Sequence, residues 1–315
     1  MHRHLIAAAA LVAVSSSAFA QSAVTIYGRV NLSVERQETL DGVNDTKMQN
    51  SASRWGIKGI EDIGGGLKAG FVLESGFNPA NGQANSPFFG RQSEVNLGGN
   101  WGMVRLGNFT SEAYYASADY VSMHNHDTGT SADVLYAYLA RDNNKIAYRT
   151  PSFGGATIEV AVTEAGSEPD RSYDAALNWD SGPLHLGAGY QKNGDANQFA
   201  FRGLYELGNF TFGGYVQRDE DGYGADLGSR TTYRLSGMYA MGNTEFHLNW
   251  GHAGDYDNSV GDLSTDQWTV GLNYNLSKRT KLYTFYTALN GDGENFYGQA
   301  FGIKNSFAVG VRHNF

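Results

Sequence analysis

The 315-residue chain contains no cysteine. A disulfide framework, thiol catalysis and thiolate metal sites are therefore excluded. Proline is also scarce, at 5 residues, so few positions deny a backbone donor to a sheet. Beyond residue 20 there is no run of about 18 apolar residues, so no helix is expected to cross a bilayer. A barrel built of strands needs no such run, because its lipid face uses alternate residues. Positive charge is in deficit too. Lys and Arg number 23 against 32 Asp and Glu, a net charge of −9, which argues against nucleic acid as a partner. Catalytic and cofactor motifs are missing. There is no G-x-S-x-G. Gly64-Gly65-Gly66 lacks the Lys-Ser/Thr of a phosphate loop. Asp219-Glu220-Asp221-Gly222 lacks the alternating ligands and closing Glu of a calcium loop. His124 and His126 alone do not make a metal-ligand set and read as solvated loop residues. The chain is read as a non-enzyme without cofactor or metal.

What is present is glycine, at 41 residues, with 19 Tyr and 17 Phe. Together with few prolines, this composition suits many strands joined by short turns. The first twenty residues stand apart. Arg3 precedes a short apolar core from Leu5 to Val14, and Ala18-Phe19-Ala20 ends it. This three-part pattern is that of a secretory signal peptide cleaved before Gln21. Residues 1–20 are therefore set aside, and residues 21–315 are treated as one domain.

Strict alternation dominates that domain, the period of a two-faced strand. Val24, Ile26, Gly28, Val30, Leu32 and Val34 interleave with Thr25, Tyr27, Arg29, Asn31, Ser33 and Glu35. Trp268, Val270, Leu272 and Tyr274 interleave with Thr269, Gly271 and Asn273. Connections alternate in length. Short ones lie at Asp62–Gly65, Gly99–Asn100, Phe153–Gly155, Ser181–Gly182, Gly208–Asn209, Gly242–Asn243 and Ser277–Lys278. Long polar ones lie at Gln37–Gln49, Asn78–Pro87, Thr110–Asp133, Glu164–Asp170, Asp219–Ser229, Gly254–Leu263 and Asn290–Gly302, with a brief one at Asn193–Ala196. Tight turns at one end and long loops at the other are the asymmetry of an outer-membrane barrel. The count gives about 16 antiparallel strands, at roughly 18 residues per strand and connection. Aromatics near strand ends, including Trp101, Tyr190, Phe210, Tyr239 and Trp268, suit a membrane interface. Two other readings remain: a soluble secreted β-sandwich, and a barrel that serves as a surface adhesin. Ser306–Phe315 places Phe307, Val309, Val311, His313 and Phe315 on one face, as in a strand that closes a barrel.

Seven stretches resemble the trimeric general porins of Gram-negative bacteria, of β-proteobacterial and neisserial type. They are Ala23–Gly28, Ser53–Leu67 with Lys68 to Phe77, Phe89–Leu97, Gly102–Gly107, Ile146–Gly155, Leu276–Tyr283 and Val309–Phe315. The resemblance covers the whole chain. It implies a 16-stranded transmembrane barrel with short periplasmic turns and long extracellular loops. Its third loop, Thr110–Asp133 here, would fold into the lumen, and three copies would form a homotrimer in the outer membrane. The implied activity is passive diffusion of ions and small hydrophilic solutes. Family members commonly carry arginines at the narrowing, at positions matching Arg54, Arg91 and Arg149. Asn108 stands where the family usually has an Arg.

Strand parity adds lumen candidates Arg29, Lys58, Lys68, Arg105, Arg202 and Arg234, since a charge on the lipid face costs about 2–4 kcal/mol at the midplane. Arg91 shares parity with the outward Val95 and Leu97, which requires a bulge or a place beyond the apolar band. Loop acids Glu112, Asp119, Asp127 and Asp133 would face the basic wall. The expected constriction set is Arg54, Arg91, Arg149, Arg29, Lys58 and Arg105 against Glu112 and Asp119, with a lean towards anions.

Overall fold

The structure, a computed structural model, describes residues 23–123, 129–164 and 170–315. The signal segment lies outside them, as do His124, His126 and Asp127. Sixteen strands close into one antiparallel ring. They are β1 Ala23–Thr39, β2 in two pieces Asn44–Asn50 and Arg54–Gly64, β3 Leu67–Asn78, β4 Gln92–Gly99 and β5 Gly102–Asn108. After the third loop come β6 Lys145–Arg149, β7 Ala156–Thr163, β8 Ser172–Ser181, β9 Leu184–Asn193, β10 Ala196–Leu207 and β11 Phe210–Glu220. The last five are β12 Ser229–Met241, β13 Thr244–Ala253, β14 Thr265–Asn275, β15 Thr280–Asn290 and β16 Ile303–Asn314. Both pieces of β2 pair with β1. Between them Ala52 takes a φ of 53°, and the Ser53 hydroxyl accepts the Asn31 N–H at 2.9 Å. The seam is β1 against β16, in register from Arg29↔Asn314 to Glu38↔Asn305. Gly28 and Phe315 extend it by exchanging two backbone bonds of 3.0 Å each.

The two faces separate as alternation requires. On β14, Trp268, Val270 and Tyr274 are 43, 56 and 45% exposed, whereas Gln267, Thr269 and Asn273 are at most 2% exposed. A soluble sandwich would bury the apolar set; this ring buries the polar set and turns the apolar one outward. The sandwich reading is therefore set aside. Aromatics gather near the strand ends. Phe210 and Tyr239 lie 4.6 Å apart near the short turns, and Trp250 and Trp268 lie 6.0 Å apart towards the long loops. The short turns are as tight as expected. Gly208 and Gly242 open two of them at φ 59°, a backbone region that other residues enter only at a cost.

Several loop boundaries differ from the sequence reading. The second loop does not end at Pro87 but runs on to Arg91, since β4 begins only at Gln92. Gln37–Gln49 is a paired hairpin, with only Leu40–Val43 between the strands. Its polar residues look like a loop because this part of the wall rises past the apolar band. The third loop does not end at Asp133. It runs over residues 109–144, and β6 begins only at Lys145.

Candidate functional site

The third loop enters the barrel and lies against one side of it. Its helix Glu112–Tyr115 is capped by Ser111, whose hydroxyl accepts the Ala113 N–H at 3.2 Å. The helix approaches closely because the facing strand has no side chains there. A Cβ on Gly189 of β9 would meet the Ala113 carbonyl oxygen at 2.5 Å, and one on Gly187 would collide with that of Ala116. Further on, a Cβ on Gly213 would lie 2.9 Å from Val121. These inward glycines form a trough for the loop.

Polar wall residues then satisfy the loop backbone, as a buried chain requires. The Gln217 side chain accepts the Ala137 N–H at 2.9 Å and donates to its carbonyl at 3.0 Å. Gln191 accepts from Leu139 at 2.8 Å, and Gln267 donates to Ala132 at 2.8 Å. Arg202 donates to the Ala116 carbonyl at 2.9 Å and stacks over Tyr120 at 3.6 Å. Arg230 donates to the Leu135 carbonyl at 2.7 Å and pairs with Asp219 at 2.9 Å. Glu35 is fully buried and accepts from Ser33, Gln37, Thr130 and Ser306 at 2.7 to 2.8 Å.

These contacts sort the candidate charges. Asp133 pairs with Arg234 at 2.7 Å, both almost fully buried, and accepts the Tyr215 hydroxyl. Arg202, Arg234 and Asp133 thus fasten the loop to the wall. Arg105 is clamped between Glu94 at 2.8 Å and Glu159 at 2.9 Å, with 9% of its side chain exposed. Arg149 bonds Glu159 at 2.8 Å and also reaches Glu112 on the loop. Arg54 and Arg91 share Glu74, at 3.7 and 2.7 Å. The side chains of Arg54, Arg91 and Arg149 remain 20, 34 and 32% exposed, so they meet lumen water while Arg105 does not. Arg91 precedes the first residue of β4, which resolves its parity: it is a loop residue that turns inward without a bulge. Asn108 donates to the Gly90 carbonyl at 3.0 Å and so ties the third loop's entrance to the second loop.

On the third loop, Tyr115 lies within electrostatic reach of Asp119, Arg91 and Arg54. Tyr115 is 41% exposed. Burial of its hydroxyl raises its pKa, Thr110 lowers it, Asp119 raises it, and Arg91 and Arg54 lower it, with a net rise. One tyrosine therefore feels the loop acid and two wall arginines. Glu112 is held above the usual carboxylate range by burial, against the opposing pull of Arg149. Arg29 and Lys58 lie nearer the short turns. Arg29 is the register partner of Arg54 and donates to Asn314 at 3.1 Å, while Lys58 sits 5.3 Å over the Tyr27 ring.

Sequence reading missed the wall acids Glu74, Glu94 and Glu159, although each has the inward parity of its strand. It also missed the tyrosine cage of Tyr223, Tyr256 and Tyr297 around Arg230. No local signal marks that cage, because its members come from three separate loops. Among the described residues no group of three His, Asp or Glu could hold a metal ion.

A closed ring with an apolar outside, a polar lumen and a loop fixed across it defines a membrane channel. The family model for the Gram-negative porin matches residues 7–294, and the chain belongs to that family. It is 32% identical to "Outer membrane porin protein 32" of Delftia acidovorans over the full length of both chains. It is 28% identical to "Major outer membrane protein P.IB" of Neisseria lactamica, covering 94% of this chain and 95% of the other. Among solved structures it resembles "Anion-selective porin from Comamonas acidovorans", with a TM-score of 0.78, 25% identity, and 94 and 100% of the two chains covered. The protein is an outer-membrane porin that forms a passive, water-filled channel for ions and small hydrophilic solutes.

Proposed function

We propose that the channel is a general diffusion pore with a preference for anions, working as a homotrimer without cofactor or catalytic step. Its narrowing is bounded by Arg54, Arg91 and Arg149 on the wall and by Glu112 and Asp119 on the third loop. The observation that carries this reading is the contrast in exposure. These three arginines keep solvent-exposed side-chain surface, whereas Arg105, Arg202, Arg230 and Arg234 are at most 8% exposed. Arg105 acts here as a support that fixes Glu94 and Glu159. Arg29 and Lys58 extend the positive wall towards the periplasm. The resemblance to an anion-selective porin supports the sign. Charges of opposite sign on two sides of a narrowing orient polar solutes and disfavour apolar ones. Residues 1–20 are proposed as the signal peptide that brings the chain to the periplasm.

The test is the purified protein in planar bilayers under a KCl gradient. A reversal potential of the sign for anions, with openings in groups of three, is the expected result. Arg149→Ala should lower the anion preference. A cation-selective wild type would overturn the assignment of sign.

A further inference from the structure

A second basic cluster lies at the periplasmic mouth, away from the narrowing. Lys281 of β15 and Arg312 of β16 are direct register partners on the lumen face. Like charges placed directly opposite on neighbouring strands destabilise a sheet, so this pairing needs a reason. Arg29 of β1 is diagonal to Arg312, since its partner is Asn314 and that of Arg312 is Asn31. Arg29 is itself the register partner of Arg54. Four cations thus follow one another across β15, β16, β1 and β2 without an acid between them in the register.

Beside this row is a cavity of about 530 Å³, lined by Glu245, Lys278, Arg279, Lys281, Arg312 and Asn314, among others. Four of its lining residues are cationic and one is acidic. That acid is already engaged. Glu245 accepts from Asn273 at 2.9 Å and from Asn275 at 2.7 Å, and stands 3.6 Å from Lys281. Lys281 feels both Arg312 and Arg29. Asn314 accepts from Arg29 through its side-chain carbonyl at 3.1 Å, so its amide NH2 is the group that can donate to an anion.

We propose that Lys281, Arg312 and the turn residues Lys278 and Arg279 form a mouth site for small doubly charged oxyanions, such as phosphate, sulfate or a short dicarboxylate. Bound there, such an ion bridges the opposed Lys281 and Arg312 and offsets their repulsion. It is then one residue row from Arg29, which leads to Arg54 at the narrowing. The site deepens the anion-preferring reading and rests on it. It also predicts a side preference, because on the same two strands the inward row at the level of the third loop, Thr287↔Ser306, carries no cation, nor does the adjoining Ala288↔Asn305.

The experiment is chloride current through the full-length protein in bilayers, with inorganic phosphate added to one side at a time at pH 8. Phosphate should block at lower concentration from one side. The pair Lys281→Gln with Arg312→Gln should raise the half-blocking concentration by about tenfold or more, since a charge-assisted contact is lost at each position. Lys278→Gln with Arg279→Gln, in a turn outside the strands, should raise it in the same direction. Lys281→Arg should retain the block. Equal block from both sides, or a half-blocking concentration unchanged in both pairs of variants, would overturn the mouth site. The KCl reversal potential of the wild type is read in the same bilayer. An anion-selective channel without one-sided block rejects the mouth site alone. A cation-selective channel rejects the reading beneath it.

Discussion

Glu74→Gln tests the charge balance at the narrowing most directly. Glu74 is the carboxylate shared by Arg54 at 3.7 Å and Arg91 at 2.7 Å, so this group carries two positive charges and one negative. Gln keeps the shape and removes the negative charge. A unit charge about 8 Å from a passing ion, in water, is worth roughly 0.5 kcal/mol. Removing it favours an anion and disfavours a cation by that amount each, so the anion-to-cation ratio rises about fivefold without screening. At 0.1 M salt the Debye length is about 10 Å, which reduces the gain to roughly twofold. At 1 M it is about 3 Å and the gain vanishes. Reversal potentials of wild type and variant at both salt concentrations measure this. An unmoved potential at 0.1 M, a shift towards cations, or an equal shift at 1 M would refute the assignment of Glu74 to the ion path.

Further outcomes follow from the loop and its trough. Burial raises the Glu112 pKa, so as pH falls its carboxyl should be neutralised before ordinary carboxylates, and anion preference should rise; Glu112→Gln should remove this step from the pH profile of the reversal potential. By linkage, the folded state holds that proton more tightly than the unfolded chain, so this contribution to stability is present at low pH and is lost as pH rises through the raised value. Asp133→Asn leaves the buried Arg234 guanidinium without its carboxylate and should cost about 3–5 kcal/mol, seen as a lower voltage threshold for channel closure and a lower unfolding temperature. Gly189→Val puts a branched Cβ about 2.5 Å from the Ala113 carbonyl oxygen and should push the helix into the lumen, read as a smaller single-channel conductance with unchanged heat-modifiability of the barrel.

How far the sequence carried depends on whether a residue's partner is local. On β14 the order Trp268, Thr269, Val270 states both faces outright, because a strand in a barrel wall obeys one rule along its length. Val134 to Asn144 defeat that rule. Leu135, Tyr136 and Ala137 are apolar and nearly fully buried, which reads as strand. Yet their surroundings are Gln217, Gln198 and Arg230 from strands far away in sequence. The inward polarity of Gln191, Gln198 and Gln217 was visible as parity, but not that they serve the backbone of the loop instead of water. Arg105 and Arg149 share the inward face of β5 and β6 and look alike in sequence. Only the third dimension separates a guanidinium clamped by two carboxylates from one that keeps water contact.

The seam joins residues as much as 287 positions apart, whereas every other strand in the ring pairs with its neighbour in sequence. Fifteen hairpin contacts can form as soon as their strands exist, but the circle is complete only when β16 meets β1. Until then the growing sheet has two open edges, each a row of unpaired donors and acceptors able to recruit a foreign strand. Pairings between distant segments also form slowly. The ring is thus vulnerable during its assembly at both edges at once, and a single late encounter ends that exposure.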